Sequence, residues 1–280
     1  MRELSQVRIA LGFLFYKEKR RIMIFDTHTH YDDTQFDIDR KELLLGMKEA
    51  NVGAIVNVGA TMQGAKDSVA MAKQYPFVYA AVGIHPESAK DLNEEEFEVL
   101  RNLAKEEKVV AIGEIGLDYY WDSTEREVQK YWFLRQLDLA QELDLPIIIH
   151  SRDAAQDTYE ILKEEYKKRG TSFKGVIHCF SYSLELAKEF IKMGFFIGIG
   201  GVVTFKNARK LKEVIEGISL DNIVLETDCP YLTPVPFRAK RNSSEKLKYV
   251  VSEIASIKGI SEEEVEKVTW ENAEKLYQMK

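Results

Sequence analysis

From Met23 onward the chain alternates, eight times, a short near-continuous apolar run with a longer charged segment of helical period. That alternation leaves few folds open. Runs such as AIVNV, LPIIIH and FFIGIG are apolar on both faces, as parallel strands covered on both sides must be. Parallel neighbours need a crossover of a dozen or more residues, usually a helix, and the charged segments supply it. Strands are expected at 23–28, 52–59, 77–84, 109–115, 145–150, 174–179, 195–202 and 222–227. Helices are expected at 39–50, 62–74, 93–107, 124–144, 154–169, 183–193, 207–217 and 243–258. A last helix, 261–278, opens with Ser261 and, three residues on, Glu264, the signature of a capping box. An unbroken βα repeat builds either an open doubly wound sheet or a closed (β/α)8 barrel. The open sheet carries a Gly-rich phosphate loop after its first strand, whereas that turn here reads HTHYDD. The expected fold is therefore α/β, a (β/α)8 TIM barrel with an additional C-terminal helix, in one domain over 23–280.

Residues 1–22 stand apart, with six basic and two acidic residues against a net charge of −7 for all 280. Their apolar stretch, VRIALGFLFY, is too short to span a bilayer and lacks a signal-peptide cleavage site. Two readings fit this extension: translation naturally starts at Met23, or the segment is an amphipathic arm packing on the barrel or a membrane surface. Elsewhere no apolar stretch is long enough for a membrane span, and the negative charge argues against bulk attraction to nucleic acid. Cys179 and Cys229 form no CxxC pair, which fits a reducing, cytoplasmic setting. Strand alternation is expected to turn both thiols into packing, because each directly follows a candidate ligand.

All five histidines close apolar runs: His28 and His30 in IFDTHTH, His85 in AAVGIH, His150 in PIIIH and His178 in GVIH. Glu114 follows VVAIG and Asp228 follows NIVLET in the same manner. Strand ends of a barrel share one face, where its chemistry is gathered. His28 and His30, two apart on a strand, project to one side about 6–7 Å apart and can converge on one ion. Alone the triplet is weak, since paired histidines also hydrogen-bond near strand ends. A carboxylate such as Glu114 at the end of an apolar strand is costly unless paired or bound to a cation, and a central glutamate can bridge two ions. His150 and His178 offer neutral nitrogen donors suited to borderline metals. Asp228 faces His28 and His30 across the closing seam, placed to ligate an ion and to orient or deprotonate water. Four histidines and two carboxylates on five separate strand ends make a metal site the expectation.

The blocks FDTHTHYDD, VGIHP, GEIGLDYYWD, PIIIHSRDA, HCFSYSLELAKEF and LETDCPYLTPVPFRAKRN carry a resemblance over essentially the whole chain from Met23. The sequence resembles the TatD-like metal-dependent deoxyribonucleases of the amidohydrolase superfamily. That resemblance implies two divalent ions, magnesium or manganese for turnover with zinc possible. It implies His28, His30 and Asp228 on one ion, His150 and His178 on the other, and Glu114 as the bridge. The implied activity is hydrolysis of DNA phosphodiester bonds, commonly from a 3′ end. Asp228 and Glu114 are the catalytic candidates, the first taking or directing the proton of the attacking water. Departures from the family pattern are Glu87 after GIHP, Tyr182 after HCFS, Ala239 within PFRAKRN, and the two serines after it. They touch none of the six ligand candidates and bear on substrate fit.

Substrate contacts are expected from His85, at the barrel mouth, and from Arg152, on the same side of its strand as His150. Arg238, Lys240 and Arg241 make the eighth loop basic, where a DNA strand's phosphates need counter-charge. Each has a plainer alternative: a structural histidine, an arginine paired with a carboxylate, a solvated basic run. Tyr119, Tyr120 and Trp121 could offer bases a stacking surface, but aromatics after a barrel strand are more often packing, and they stand outside the catalytic set. The expected partner is DNA, single-stranded or at a 3′ end, with no membrane and a monomer as the default state. The rival activity is an amidohydrolase-type cut of C–N or ester bonds, such as an aminoacyl-ester deacylase, because fold does not choose substrate.

Overall fold

The computed structural model describes residues 23–121, 123–170 and 174–279; the extension 1–22 lies outside the described residues. Eight parallel strands pair in sequence order. They are β1 (Ile24–Thr29), β2 (Val52–Gly59), β3 (Val78–Val82), β4 (Val109–Asp118), β5 (Ile147–Arg152), β6 (Gly175–Ile177), β7 (Phe195–Ile199) and β8 (Ile223–Leu225). The barrel closes between first and last: Thr29 bridges Cys229, Asp228 N–H donates to His28 O at 3.0 Å, and His30 N–H donates to Cys229 O at 2.9 Å. Burial explains the apolar runs. Every residue of β4 is buried, and Ile148 and Ile149 of β5 are wholly inaccessible; each such side chain contributes about 1.5–3 kcal/mol through removal from water.

The helices form the outer layer: α1 (Arg40–Leu45), α2 (Met62–Gln74), α3 (Glu94–Leu103), α4 (Arg126–Glu142), α5 (Ala155–Arg169), α6 (Leu184–Lys192), α7 (Arg209–Gly217), α8 (Leu247–Lys258) and α9 (Glu262–Leu276). Local chemistry sets several starts, with Thr61, Asn93, Ser183 and Ser261 each accepting a backbone N–H at the N-cap. The expected capping box at Ser261 is half realised, Glu264 N–H donating to Ser261 Oγ at 3.1 Å. The final helix clamps the seam, with Tyr277 donating to Thr27 O on β1 and the Asn272 amide donating to Ile223 O on β8. Among the described residues no helix is long and apolar enough to cross a membrane.

Two boundaries differ from expectation in ways that matter. Strand β4 continues past Ile115 to Asp118, pairing Asp118 with Arg152 of β5. Its ladder slips between Ile112 and Ile115, and Glu114 sits inside that slip, the kind of irregularity that re-aims a side chain beside a site. Strand β6 stops at Ile177, and Cys179 adopts φ +46°. Alternation therefore fails there: a Cys179 ligand atom lies within 4.8 Å of those of His178 and Asp228. Cys229, by contrast, is fully buried as expected.

Candidate metal centre

The exits of β1, β3, β4, β5, β6 and β8 bring the five histidines and both carboxylates to one mouth. Around the first set, His28 Nε2 lies 3.1 Å from His30 Nε2. Glu114 Oε2 lies 3.5 and 3.7 Å from those two nitrogens, and Asp228 Oδ1 lies 3.8 and 3.4 Å from them. Glu114 turns its other oxygen the opposite way. Oε1 is 2.6 Å from His150 Nδ1, 3.3 Å from His178 Nε2 and 3.9 Å from His85 Nε2. One carboxylate thus divides its two oxygens between two histidine groups.

Hydrogen bonds hold two of the rings from behind, and a carboxylate stands behind a third. His30 Nδ1 donates to Val58 O at 2.8 Å, which leaves Nε2 facing the site. His150 Nε2 contacts Asp118 Oδ2 at 2.9 Å, and His178 Nδ1 lies 3.4 Å from Glu226 Oε1. Such outer partners fix ring orientation and proton position in metal sites. His85 is set differently: its Nδ1 accepts from Glu87 N–H at 3.2 Å, so the ring's proton is on Nε2, facing the cleft. Burial holds His85 down at a pKa of about 3, and neighbouring His150 adds to that. In this arrangement the ring is neutral and presents Nε2–H to the cleft.

The electrostatics are those of a site built for cations. Burial opposes charge on His30 and His178, yet Asp228 and Glu114 draw His30 up to about 9, while Glu226 and Glu114 draw His178 up to about 10. Burial likewise pushes Glu114 and Asp228 up, but the surrounding histidines hold both below the ordinary carboxylate range. Divalent ions with arms of about 2.1 Å to N and O donors set neighbouring ligand atoms about 3.0–3.4 Å apart. The 3.1 Å His28–His30 and 3.4 Å His30–Asp228 separations fall in that range. The donor set fits a divalent cation: His28, His30 and Asp228 offer atoms within 4.8 Å of one another, and Glu114 presents one oxygen to His28 and His30 and the other to His150 and His178. His28, Glu114 and His178 also form a close group of their own, as do His85, Asp118 and His150.

All of these except His28 line an open cleft of about 300 Å³, together with Asp32, Asp33, Glu87, Trp121, Arg152 and Tyr231. Arg152 reaches the cleft as expected. Arg238, Lys240 and Arg241 do not line it. Arg241 is pulled away into a two-pronged ion pair with Asp39, with its Nη1 also donating to Gln35 O. Arg238 lies over the Phe205 ring at 4.0 Å, and Lys240 stands 5.9 Å from Phe237. Sequence reading missed Asp118 and Glu226, the carboxylates behind two ligand rings. Of the departures from the family pattern, Glu87 lines the cleft, Tyr182 donates to Ser151 O at 2.8 Å, and Ser244 bonds the buried Tyr31 hydroxyl.

A family model described as TatD related DNase matches residues 25–278. An uncharacterized metal-dependent hydrolase of Bacillus subtilis, YabD, is 46% identical over 92% of this chain and 100% of its own length. Another, YcfH of Escherichia coli K12, is 35% identical over 91% of this chain and 96% of its own. The crystal structure of YjjV, a TatD homologue from Escherichia coli K12, superposes with a TM-score of 0.85 at 31% identity, covering 92% of this chain and 98% of that one.

Proposed function

The chain belongs to the TatD related DNase family and is an enzyme, a metal-dependent hydrolase; on that premise we propose that it hydrolyses phosphodiester bonds of DNA, removing nucleotides from a 3′ end at a pair of divalent cations. The carrying observation is Glu114, whose oxygens face His28 and His30 on one side and His150 and His178 on the other. Two-cation sites suit in-line displacement at phosphorus, which needs charge stabilised on both attacking and leaving oxygens. When bound, magnesium or manganese (or zinc) supplies Lewis acidity and lowers the pKa of water toward neutrality. The protein's own groups do the rest. Asp228, ionised and beside the first position, takes or directs the water's proton. His85 offers Nε2–H to a phosphate oxygen, and Arg152 adds positive charge in a cleft whose lining includes Asp32, Asp33, Glu87, Glu114, Asp118 and Asp228. A cleft of about 300 Å³ is at the small end of ligand sites, about 300–1,000 Å³, which favours a strand end over a duplex. Free thiols at Cys179 and Cys229 agree with a cytoplasmic setting.

The test is end-labelled single-stranded DNA with metal-stripped protein, with and without magnesium or manganese. Cation-dependent shortening from the 3′ end supports the reading. Intact DNA under every cation, with the protein folded and loaded, refutes it and turns attention to amide and ester substrates.

A further inference from the structure

The loop leaving β4 presents two large aromatic rings to solvent, Tyr120 at 53% and Trp121 at 55% exposure, in edge contact at 4.9 Å. The loop is firmly seated. Asp118, itself 1% exposed, accepts the N–H groups of Tyr120 and Trp121 through Oδ1 at 2.9 and 3.1 Å. Gln129 braces it from beneath, accepting from Asp118 N–H and donating to the carbonyls of Asp118 and Thr124, each at 2.9 Å. The other Asp118 oxygen meets His150 Nε2 at 2.9 Å. One carboxylate therefore ties the backbone that carries the two rings to His150 of the site.

Arg152 completes the arrangement. Its backbone carbonyl accepts from Tyr119 N–H at 2.9 Å, and its guanidinium lies 3.9 Å from the Tyr120 ring centre and 5.4 Å from that of Trp121. Arg241 has a carboxylate partner; Arg152 has none among the described residues. Both Arg152 and Trp121 line the cleft that holds Glu114, His150 and Asp228. A cation laid on an aromatic face, with no ion pair to another described residue, is disposed to bind an anion, and an exposed indole beside it to stack on a flat ring.

We propose that Trp121 and Arg152, the latter carried on Tyr120, form a nucleotide subsite beside the metal centre: Trp121 stacks on a nucleobase and Arg152 binds that nucleotide's phosphate. The inference rests on the DNA reading and adds which residues grip the strand. It makes the enzyme sensitive to the presence of a base but tolerant of its identity, since every base has a π-face.

Binding is measured on the cation-loaded protein by quenching of indole fluorescence, with dTMP, deoxyribose 5-phosphate and inorganic phosphate as probes. Wild type is expected to bind dTMP about 5- to 150-fold more tightly than deoxyribose 5-phosphate, the range base–aromatic stacking supplies. Trp121→Ala should lose that preference and the quench, with Trp121→Phe keeping most of the preference. Ligand displacement followed by calorimetry covers the variants that lack the indole. Arg152→Gln should weaken all three probes while preserving the preference for a base. A base preference retained in Trp121→Ala, or equal affinity of wild type for dTMP and the sugar phosphate, overturns the proposal. Because these readouts are of binding, they separate the two ideas. DNA cleavage without a base preference removes the subsite alone, and a Trp121-dependent preference without DNA cleavage removes the DNA reading alone.

Discussion

Replacing Asp118 by Asn should cripple the second cation position and spare the first. The amide oxygen can keep the loop acceptor role, where Oδ1 receives the Tyr120 and Trp121 N–H groups. The amide NH2 then replaces Oδ2 against His150 Nε2, at 2.9 Å. A donor there forces Nε2 to accept, which moves the ring proton to Nδ1. That nitrogen is the one 2.6 Å from Glu114 Oε1, so the proton occupies the direction a cation needs. Loss of a hydrogen bond to a charged group amounts to about 1.5–3 kcal/mol, or roughly 10- to 150-fold in affinity, matching the range for lost outer partners of metal ligands. Titrating Mn²⁺ into metal-stripped protein by calorimetry reads this directly. One binding phase should weaken by that factor, the phase assigned to His28, His30 and Asp228 should move less than about threefold, and far-UV circular dichroism should be unchanged. An isotherm superposing on wild type in folded Asp118→Asn refutes the orienting role. Equal weakening of both phases refutes the assignment of Asp118 to His150.

Glu114→Ala removes the oxygens shared by both positions and should lower cation-dependent turnover by at least about a thousandfold while the barrel stays folded; purified variant with near-wild-type nuclease activity contradicts this. Cation loading should release protons, because His30 at about 9 and His178 at about 10 are protonated at pH 7 without the ions. Apparent affinity then rises with pH, by up to about tenfold per unit for each proton displaced, and calorimetry in buffers of different ionisation enthalpy counts the protons. Asp26 gives a stability signature of opposite sense to most carboxylates: burial raises its pKa to about 7 against bonds from Ser244 and Thr227. The folded state therefore holds the Asp26 proton more tightly than the unfolded state between about pH 4 and 7. Its contribution to stability falls across that window, by on the order of 4 kcal/mol. Urea midpoints of wild type minus Asp26→Asn, followed over the same window, should show that slope; a flat difference excludes it.

What the sequence made legible was whatever periodicity and strand ends encode. Unbroken apolar runs reveal buried parallel strands, and the residue closing each run is placed at the mouth, which is why His28, His150 and Asp228 could be read. Asp118 could not, because the run ends at Ile115 and a glycine intervenes, although Leu117 buried beside it continues the strand. The clue was Leu117 itself, spaced two from Ile115. Cys179 was misread because alternation applies only while the chain stays extended, and β6 ends two residues earlier. The basic loop looked like one feature, yet Arg241 finds Asp39, 202 positions away in sequence. Charge is visible in a sequence; its partner is not.

The seam between β1 and β8 also orders events in time. Thr27 donates to Leu225 O, 198 positions later, and receives the Tyr277 hydroxyl at its carbonyl, 250 positions later. Synthesis releases the His28–His30 arm first and the Asp228 loop and its clamp last, so an emerging chain carries two imidazoles without the carboxylate that completes their position. Loop closure over such spans is an entropic cost met only once long-range contacts form. The first cation position is thus among the last things the ribosome's product can assemble, and a half-made chain is a poor trap for metal and an inert one.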